Sequence, residues 1–339
     1  MSEFSSGSIL PSTPAVQHPR QEYYDNLSDT ARELLAKTIP AETRKAYSRE
    51  WQHFLQWCAA LQRNPLPASE ADFVSWVADR VSKRDSLGRI EHGISAVRRI
   101  HDLAGYEDQP RAKDAWKLHK LYRVTLLDAG WRPTKSATVN VEEFRRMVAA
   151  TPSDTLSGIR DRAILAIGLS GFFRRSNIIR LDIGDVVPTD YGDLQLSVTR
   201  SKTDQAGKGT TRTIPPGEDP LSDPVRLLGA WLDVLEAQGV TSGPVFRPIS
   251  RGGRVLDRPL NPEWVRRVVK KAAADAGLKS LRHRPYRAHT LRSSGVTIAR
   301  RAGSSWDLIC EQGDWSKDSP VVFGYEQPEE QDNAMRGVL

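Results

Sequence analysis

The 339 residues are 39% hydrophobic and 27% charged, which suits a folded protein with room for two domains and excludes a disordered tail. A formal net charge of +7 favours an anionic partner, nucleic acid foremost. No apolar run approaches the roughly 20 residues of a membrane span, the start of the chain shows no basic-then-apolar signal pattern, and the two cysteines, Cys58 and Cys310, stand far apart in helical apolar patterns, so a cytoplasmic protein with reduced core thiols and no metal site is expected.

Residues 1–25 are rich in Ser, Pro and Gln without periodicity and read as a flexible arm. From Asn26 the character changes. Asp29 to Thr38 suits a first helix, and the stretch after Pro40 predicts a strong one, with Tyr47, Trp51, Phe54, Leu55 and Cys58 on one buried stripe. Its start, Thr43-Arg44-Lys45, is basic and exposed. A third helix follows the Pro67-Ala68-Ser69 cap signal and buries Phe73, Val74, Trp76, Val77 and Val81. The next runs from about Leu87 to Leu103 with Ile90, Ile94, Val97 and Ile100 inward. A fifth, about Ala112 to Asp128, carries Trp116, Leu121 and Val124 amid Lys113, Lys117, Lys120 and Arg123. Residues 26–129 therefore read as an all-helical domain with several basic faces.

Gly130 and Pro133 break the pattern, and residues 130–139 read as a linker to a second domain, 140–339. There, Val141 to Ala150 and Asp161 to Ser170 predict helices, the second apolar enough to lie in the core. Leu194, Leu196 and Val198 alternate, a turn-rich stretch follows from Ser201 to Gly209, and Thr210 to Ile214 completes a hairpin with an exposed tip. Helices resume near Asp223 to Gln238 and Pro262 to Ala276, then from His289, at Trp306 to Gln312, and after Glu329.

Several residues carry chemistry. His289 and Arg292 stand at i and i+3, one turn apart on a helix face, and together suit a phosphate whose charge grows during a reaction. Arg174 lies beside an apolar run, where a guanidinium needs a carboxylate or phosphate. An internal ion pair with Asp182 or Asp185 is the structural alternative. Lys202 sits where the hairpin gives way to its tip, either as solvated surface or as a proton donor closing over a ligand. Trp315 is a packing plug or an indole N–H donor to an oxyanion. Tyr325 is half-buried core or, among cationic donors, a nucleophile.

In this order, Arg174, Lys202 on a hairpin, His289-x-x-Arg292 on a helix, Trp315 and Tyr325 resemble the active-site signature of the tyrosine recombinases of the phage integrase family. Trp315 in place of the commoner second His looks like the Cre branch. The resemblance extends over nearly the whole chain beyond the arm. Thr43-Arg44-Lys45 ahead of Gln56-Trp57-Cys58 looks like the first DNA-contacting helix of the core-binding domain. Ile100-His101-Asp102-Leu103-Ala104-Gly105 looks like the end of the helix that enters a groove, and Asn333-Ala334-Met335-Arg336 looks like the start of the terminal helix inserted into a neighbouring subunit.

The resemblance implies a mainly α fold with a small β-sheet, arranged as a two-domain clamp: an N-terminal helical core-binding domain and a mixed α/β catalytic domain ending in a subunit-exchange helix. It implies a site-specific recombinase that cuts and rejoins double-stranded DNA through a 3′-phosphotyrosyl link at Tyr325, without metal, ATP or other cofactor. Arg174 and Arg292 would clamp the phosphate, His289 and Trp315 would add donors, and Lys202 would protonate the leaving 5′-oxygen. Thr43, Arg44, Lys45, Arg98, Arg99, Lys117 and Lys120 are the candidate DNA contacts. A homodimer on one site, a homotetramer in the synapse and a nucleoid-associated cytoplasmic location follow. The rivals are a topoisomerase or telomere resolvase with the same chemistry, and a catalytically silent DNA-binding protein.

Two positions depart from the family pattern. Asn177 stands where an acidic residue usually braces the site, three residues after Arg174. Tyr325 comes ten positions after Trp315, one more than usual. The extra residue is assigned to the loop at Ser316 to Pro320, since Val321-Val322-Phe323-Gly324-Tyr325 aligns with the family pattern at its right-hand end and no other tyrosine lies near; an insertion within the helix would instead turn Tyr325 by about 100°.

Overall fold

The computed structural model describes residues 28–31, 34, 38–106, 109–198, 209–280 and 283–325. The predicted N-terminal arm, the hairpin tip with Lys202 and the helix expected after Glu329 lie outside them. The chain divides into two units, Met1–Pro133 and Thr134–Leu339.

The first unit is built from α1 (Ala41–Ala60), α2 (Glu70–Ser82), α3 (Leu87–Leu103) and α4 (Lys113–Asp128). Ser69 and Ser86 cap α2 and α3, their side chains accepting from Asp72 N and Arg89 N. The stripes on α1 to α3 meet in one core of Trp51, Phe54, Cys58, Phe73, Trp76, Val77, Ile90, Ile94, Val97 and Ile100. A β-carbon at Gly93 would stand 2.7 Å from the Trp76 ring and 2.5 Å from Arg80 Nη1, so glycine lets α2 side chains lie against α3. Inside this core Glu50, fully buried, takes Arg80 at 2.7 Å, and Arg80 also holds Asp85 at 2.7 Å. Helix α4 leaves its largest apolar side chains outside. Trp116, Leu121 and Val124 are exposed, and the helix buries Ala115, with Leu118 and Tyr122 partly covered.

The second unit is organised around α6 (Leu156–Ser170), buried from Ala163 to Gly168 without a polar face. It begins five residues before the predicted start, capped by Thr155, whose hydroxyl accepts from Gly158 N at 3.1 Å. Helix α5 (Val141–Ala150) precedes it with a reciprocal Asn140/Glu143 cap. After α6 come α7 (Arg175–Arg180), a 3-10 turn at Ile183–Asp185 and a three-stranded antiparallel sheet ordered β1 (Val186–Pro188), β2 (Leu194–Val198), β3 (Thr210–Ile214). β1 was not expected. Leu194, Leu196 and Val198 face inward as alternation predicts, and in the β2–β3 register Leu196 stands opposite Arg212.

Helices α8 (Pro224–Ala237), α9 (Glu263–Asp275) and α10 (Ala288–Arg301) enclose α6, and α11 (Trp306–Gly313) follows. Two glycines bring α6 and α10 together. A β-carbon at Gly168 would lie 2.5 Å from Leu291 Cδ1, and one at Gly295 would lie 2.5 Å from the Leu169 carbonyl oxygen. Ser136, Ala137 and Val139, within the stretch read as linker, are buried in this unit, with Ala137 N donating to Pro285 O at 3.0 Å and Val139 N to Ser294 Oγ at 2.9 Å. Both cysteines are buried thiols.

Candidate active site

The turn that ends α6 builds one side of the site. Gly171 and Phe172 present successive carbonyls to two arginines: Arg212 Nη1 donates to Gly171 O, and Arg292 Nη1 donates to Phe172 O. Phe172 holds this pose in the left-handed region, φ 47°, which costs a bulky residue about 1 kcal/mol or more. Arg174 follows immediately before α7, so its side chain leaves the backbone beside this turn. Its carboxylate neighbour is neither Asp182 nor Asp185, which cap the 3-10 turn between themselves. It is Asp314, 4.0 Å from Arg174 Nη1.

The other side comes from α10 onward. Thr290 Oγ1 accepts from Arg287 N at 3.0 Å and fixes the helix start, leaving His289 and Arg292 one turn apart. Arg292 is fully buried, and its Nη2 donates to Gly313 O at 2.7 Å. Helix α11 ends at Gly313, Asp314 turns the chain with φ 57°, and Trp315 folds back over Gly313 with its ring 3.7 Å from Arg292 Cζ. The chain then runs through turns to a 3-10 segment at Val322–Gly324, and Tyr325 N donates to Val322 O at 3.0 Å. The Tyr325 ring centroid lies 4.9 Å from that of His289 and 4.9 Å from that of Trp315, with Arg292 Cζ 5.3 Å from its centre. Lys135 Nζ donates to Gly324 O at 3.2 Å, directly before it. Residues 316–321, the loop expected to hold the extra residue, turn without helix.

Crowded cations set the electrostatics. Burial, then Arg174, pushes Arg292 down to about 9, with the Tyr325 phenol opposing the shift, so the guanidinium remains charged at neutral pH. Burial likewise brings Arg212 down to about 10, against the pull of Asp314. His289 is exposed as a residue, yet partial burial of the ring, then Arg292 and Arg174, lowers its pKa and disfavours its charged form. Arg292 Nε, Trp315 Nε1, Arg174 Nη1 and two Arg212 nitrogens are buried without a hydrogen-bond acceptor among the described residues. Each such donor costs about 1–3 kcal/mol, which an anion seated in the cluster would offset.

Thus Arg174, His289, Arg292, Trp315 and Tyr325 come together, while Lys202 is outside the described residues. Arg212 was missed, although it shares inward parity on β3 with Ile214, a period-2 signal. The DNA-contact candidates all lie in the first unit: Thr43, Arg44 and Lys45 in the first turn of α1, Arg98 and Arg99 on α3, Lys117 and Lys120 on α4. Arg99 is paired with Asp102, and Lys117 with Asp114 at 2.6 Å. His101 is wholly buried. Among the described residues no group of His, Cys, Asp and Glu is placed to hold a metal ion, and no helix is long and apolar enough to cross a membrane.

Residues 138–331 match the phage integrase family. The chain is 28% identical over 285 residues to an integrase/recombinase XerD homolog of Selenomonas ruminantium, covering 84% of this chain and 81% of the relative. It is 22% identical over 330 residues to the recombinase Cre of Escherichia phage P1, covering 93% and 92%. Among solved structures, the XerH site-specific recombinase bound to a palindromic difH substrate, a post-cleavage complex, superposes with a TM-score of 0.56 at 14% identity, over 94% of this chain and 85% of that one.

Proposed function

The chain belongs to the phage integrase family, and from that premise we propose that it is a site-specific tyrosine recombinase whose active site is the cluster around Tyr325. The observation that carries this reading is the set of acceptorless buried donors on Arg174, Arg292 and Trp315 grouped about that phenol. Such a set suits the non-bridging oxygens of a phosphodiester, where charge builds during displacement.

In this reading Tyr325 Oη attacks phosphorus in line, a P–O bond to tyrosine forms and the bond to the 5′-oxygen breaks. The neutral His289 ring beside the phenol takes its proton. Lys202, by resemblance, supplies a proton to the leaving oxygen. Arg174 and Arg292 hold the phosphoryl oxygens, and the Trp315 indole N–H adds a donor. The link keeps the energy of the phosphodiester, so a second 5′-hydroxyl displaces Tyr325 without ATP. Double-stranded DNA is the substrate, held by the basic residues of the first unit, with two protomers on a site and four in the synapse. The cytoplasm, on the nucleoid, is the location that fits.

The test is a denaturing gel of the chain incubated with a nicked suicide DNA substrate. A covalent protein–DNA band is expected from the native chain and none from Tyr325→Phe. A native chain that shifts DNA in a native gel and yields no covalent band refutes the reading and leaves a silent DNA-binding protein.

A further inference from the structure

Three guanidiniums crowd one end of the second unit. Arg174 and Arg212 both disfavour the charge on Arg292, and Arg174 disfavours that on Arg212. Without a bound phosphate this repulsion has to be met by protein charge. The obvious place is one turn on from Arg174, but that residue is Asn177, buried, neutral and with its own Nδ2 lacking an acceptor. Asp314 approaches from the opposite side of the site. Its carboxylate lies 4.0 Å from Arg174 Nη1 and acts favourably on Arg212, while the carbonyl of the preceding Gly313 holds Arg292. A single turn, Gly313–Asp314, thus reaches two of the arginines, Arg174 through the carboxylate and Arg292 through the carbonyl.

We infer that Asp314 is a positioning residue, the carboxylate that holds Arg174 in place for the scissile phosphate in the absence of an acid at position 177. The 4.0 Å separation matters. It is long for a hydrogen bond, so Asp314 steadies the Arg174 cation through charge while leaving Nη1 free to donate to a phosphoryl oxygen. A tighter bidentate pair would compete with the substrate.

This inference rests on the recombinase reading, and two measurements separate the two. Asp314→Asn removes the charge and keeps a residue that tolerates the left-handed turn. In the suicide-substrate assay Asp314→Asn is expected to slow covalent adduct formation by about tenfold to a hundredfold, by analogy with the loss of an outer partner that orients a metal ligand, while DNA is still bound. Asn177→Asp in the same chain is expected to restore most of the rate by moving the charge to the other side of Arg174. Independently of activity, Asp314→Asn is expected to lower Tm at low ionic strength, and inorganic sulfate, but not chloride at equal ionic strength, to close the gap to the native chain. The inference is overturned if Asp314→Asn cleaves at the native rate, if Asn177→Asp leaves it slow, or if its Tm matches the native value at low salt. A native chain that forms no adduct removes the recombinase reading, and the Tm comparison then decides the role of Asp314 alone.

Discussion

Gly313→Ala probes how the indole is seated. Gly313 takes no left-handed conformation, so alanine is compatible with its backbone, and the effect must come through the side chain. Its β-carbon would stand 1.6 Å from Trp315 Cζ3 and 2.0 Å from Cε3, where carbon contacts prefer about 3.5–4.0 Å. The ring has to withdraw by about 2 Å, the shortfall against that contact distance. It now lies 3.7 Å from Arg292 Cζ, so the withdrawal ends a desolvated cation–π contact of about 1–2 kcal/mol. It also carries Nε1 out of hydrogen-bond range of any phosphate held by Arg292. Loss of one such donor is worth about 3 kcal/mol, roughly a hundredfold in rate, against an overpacking cost of about 1–3 kcal/mol in stability. Single-turnover adduct formation measured beside DNA affinity reads the difference: cleavage falls about a hundredfold and binding stays near native. A Gly313→Ala chain that cleaves at the native rate would refute both the seat and the donor role of Trp315.

The first unit offers two further predictions, both read by hydrogen exchange of amides in α1 to α4 so that the second unit does not contribute. Glu50→Gln leaves the buried Arg80 with Asp85 alone and is expected to destabilise the unit by about 3 kcal/mol. A loss under about 1 kcal/mol, the size of an exposed pair, would show that Asp85 carries the cation unaided. His101 accepts from Ala68 N at 2.8 Å through Nε2, which requires the proton on Nδ1, 2.8 Å from Val97 O. Burial lowers its pKa from 6.5 to about 4. The unfolded chain therefore binds the proton first. The stability is fully present above pH 6.5 and is lost as pH falls toward 4, by about 3 kcal/mol in all. His101→Gln should flatten that part of the profile, and an unchanged slope would contradict the buried neutral ring.

Legibility in the sequence followed periodicity. Ile90, Ile94, Val97 and Ile100 on α3 are all buried as their spacing predicts. The early start of α6 carries a glycine for a tertiary reason, since the Pro152 carbonyl lies 2.1 Å from where a β-carbon on Gly158 would be, a contact no periodicity reveals. Strand β1 is three residues long and mostly exposed, too short to alternate. At the site, the residues with distinctive side-chain chemistry could be nominated from their order. Asp314 could not, since the role inferred for it depends on a left-handed turn that delivers it to an arginine from another element. The carbonyls of Gly171, Phe172 and Gly313 were equally invisible, because every residue has one and only tertiary structure aims it.

The crossing of α6 and α10 at Gly168 and Gly295 has a mechanical consequence. Where helices meet through long side chains, rotamer changes let them slide. Here the Leu169 carbonyl oxygen would lie only 2.5 Å from a β-carbon on Gly295, and the Phe172 ring equally near, so the α6 backbone packs directly on α10 at this point with little room to slide. The axle that carries His289 and Arg292 is in effect welded to the frame that carries the Phe172 turn. In the proposed reaction, displacement would therefore be taken up outside this joint, and the side chains proposed to grip the phosphate would keep one gauge from the first strand cut to the last strand sealed.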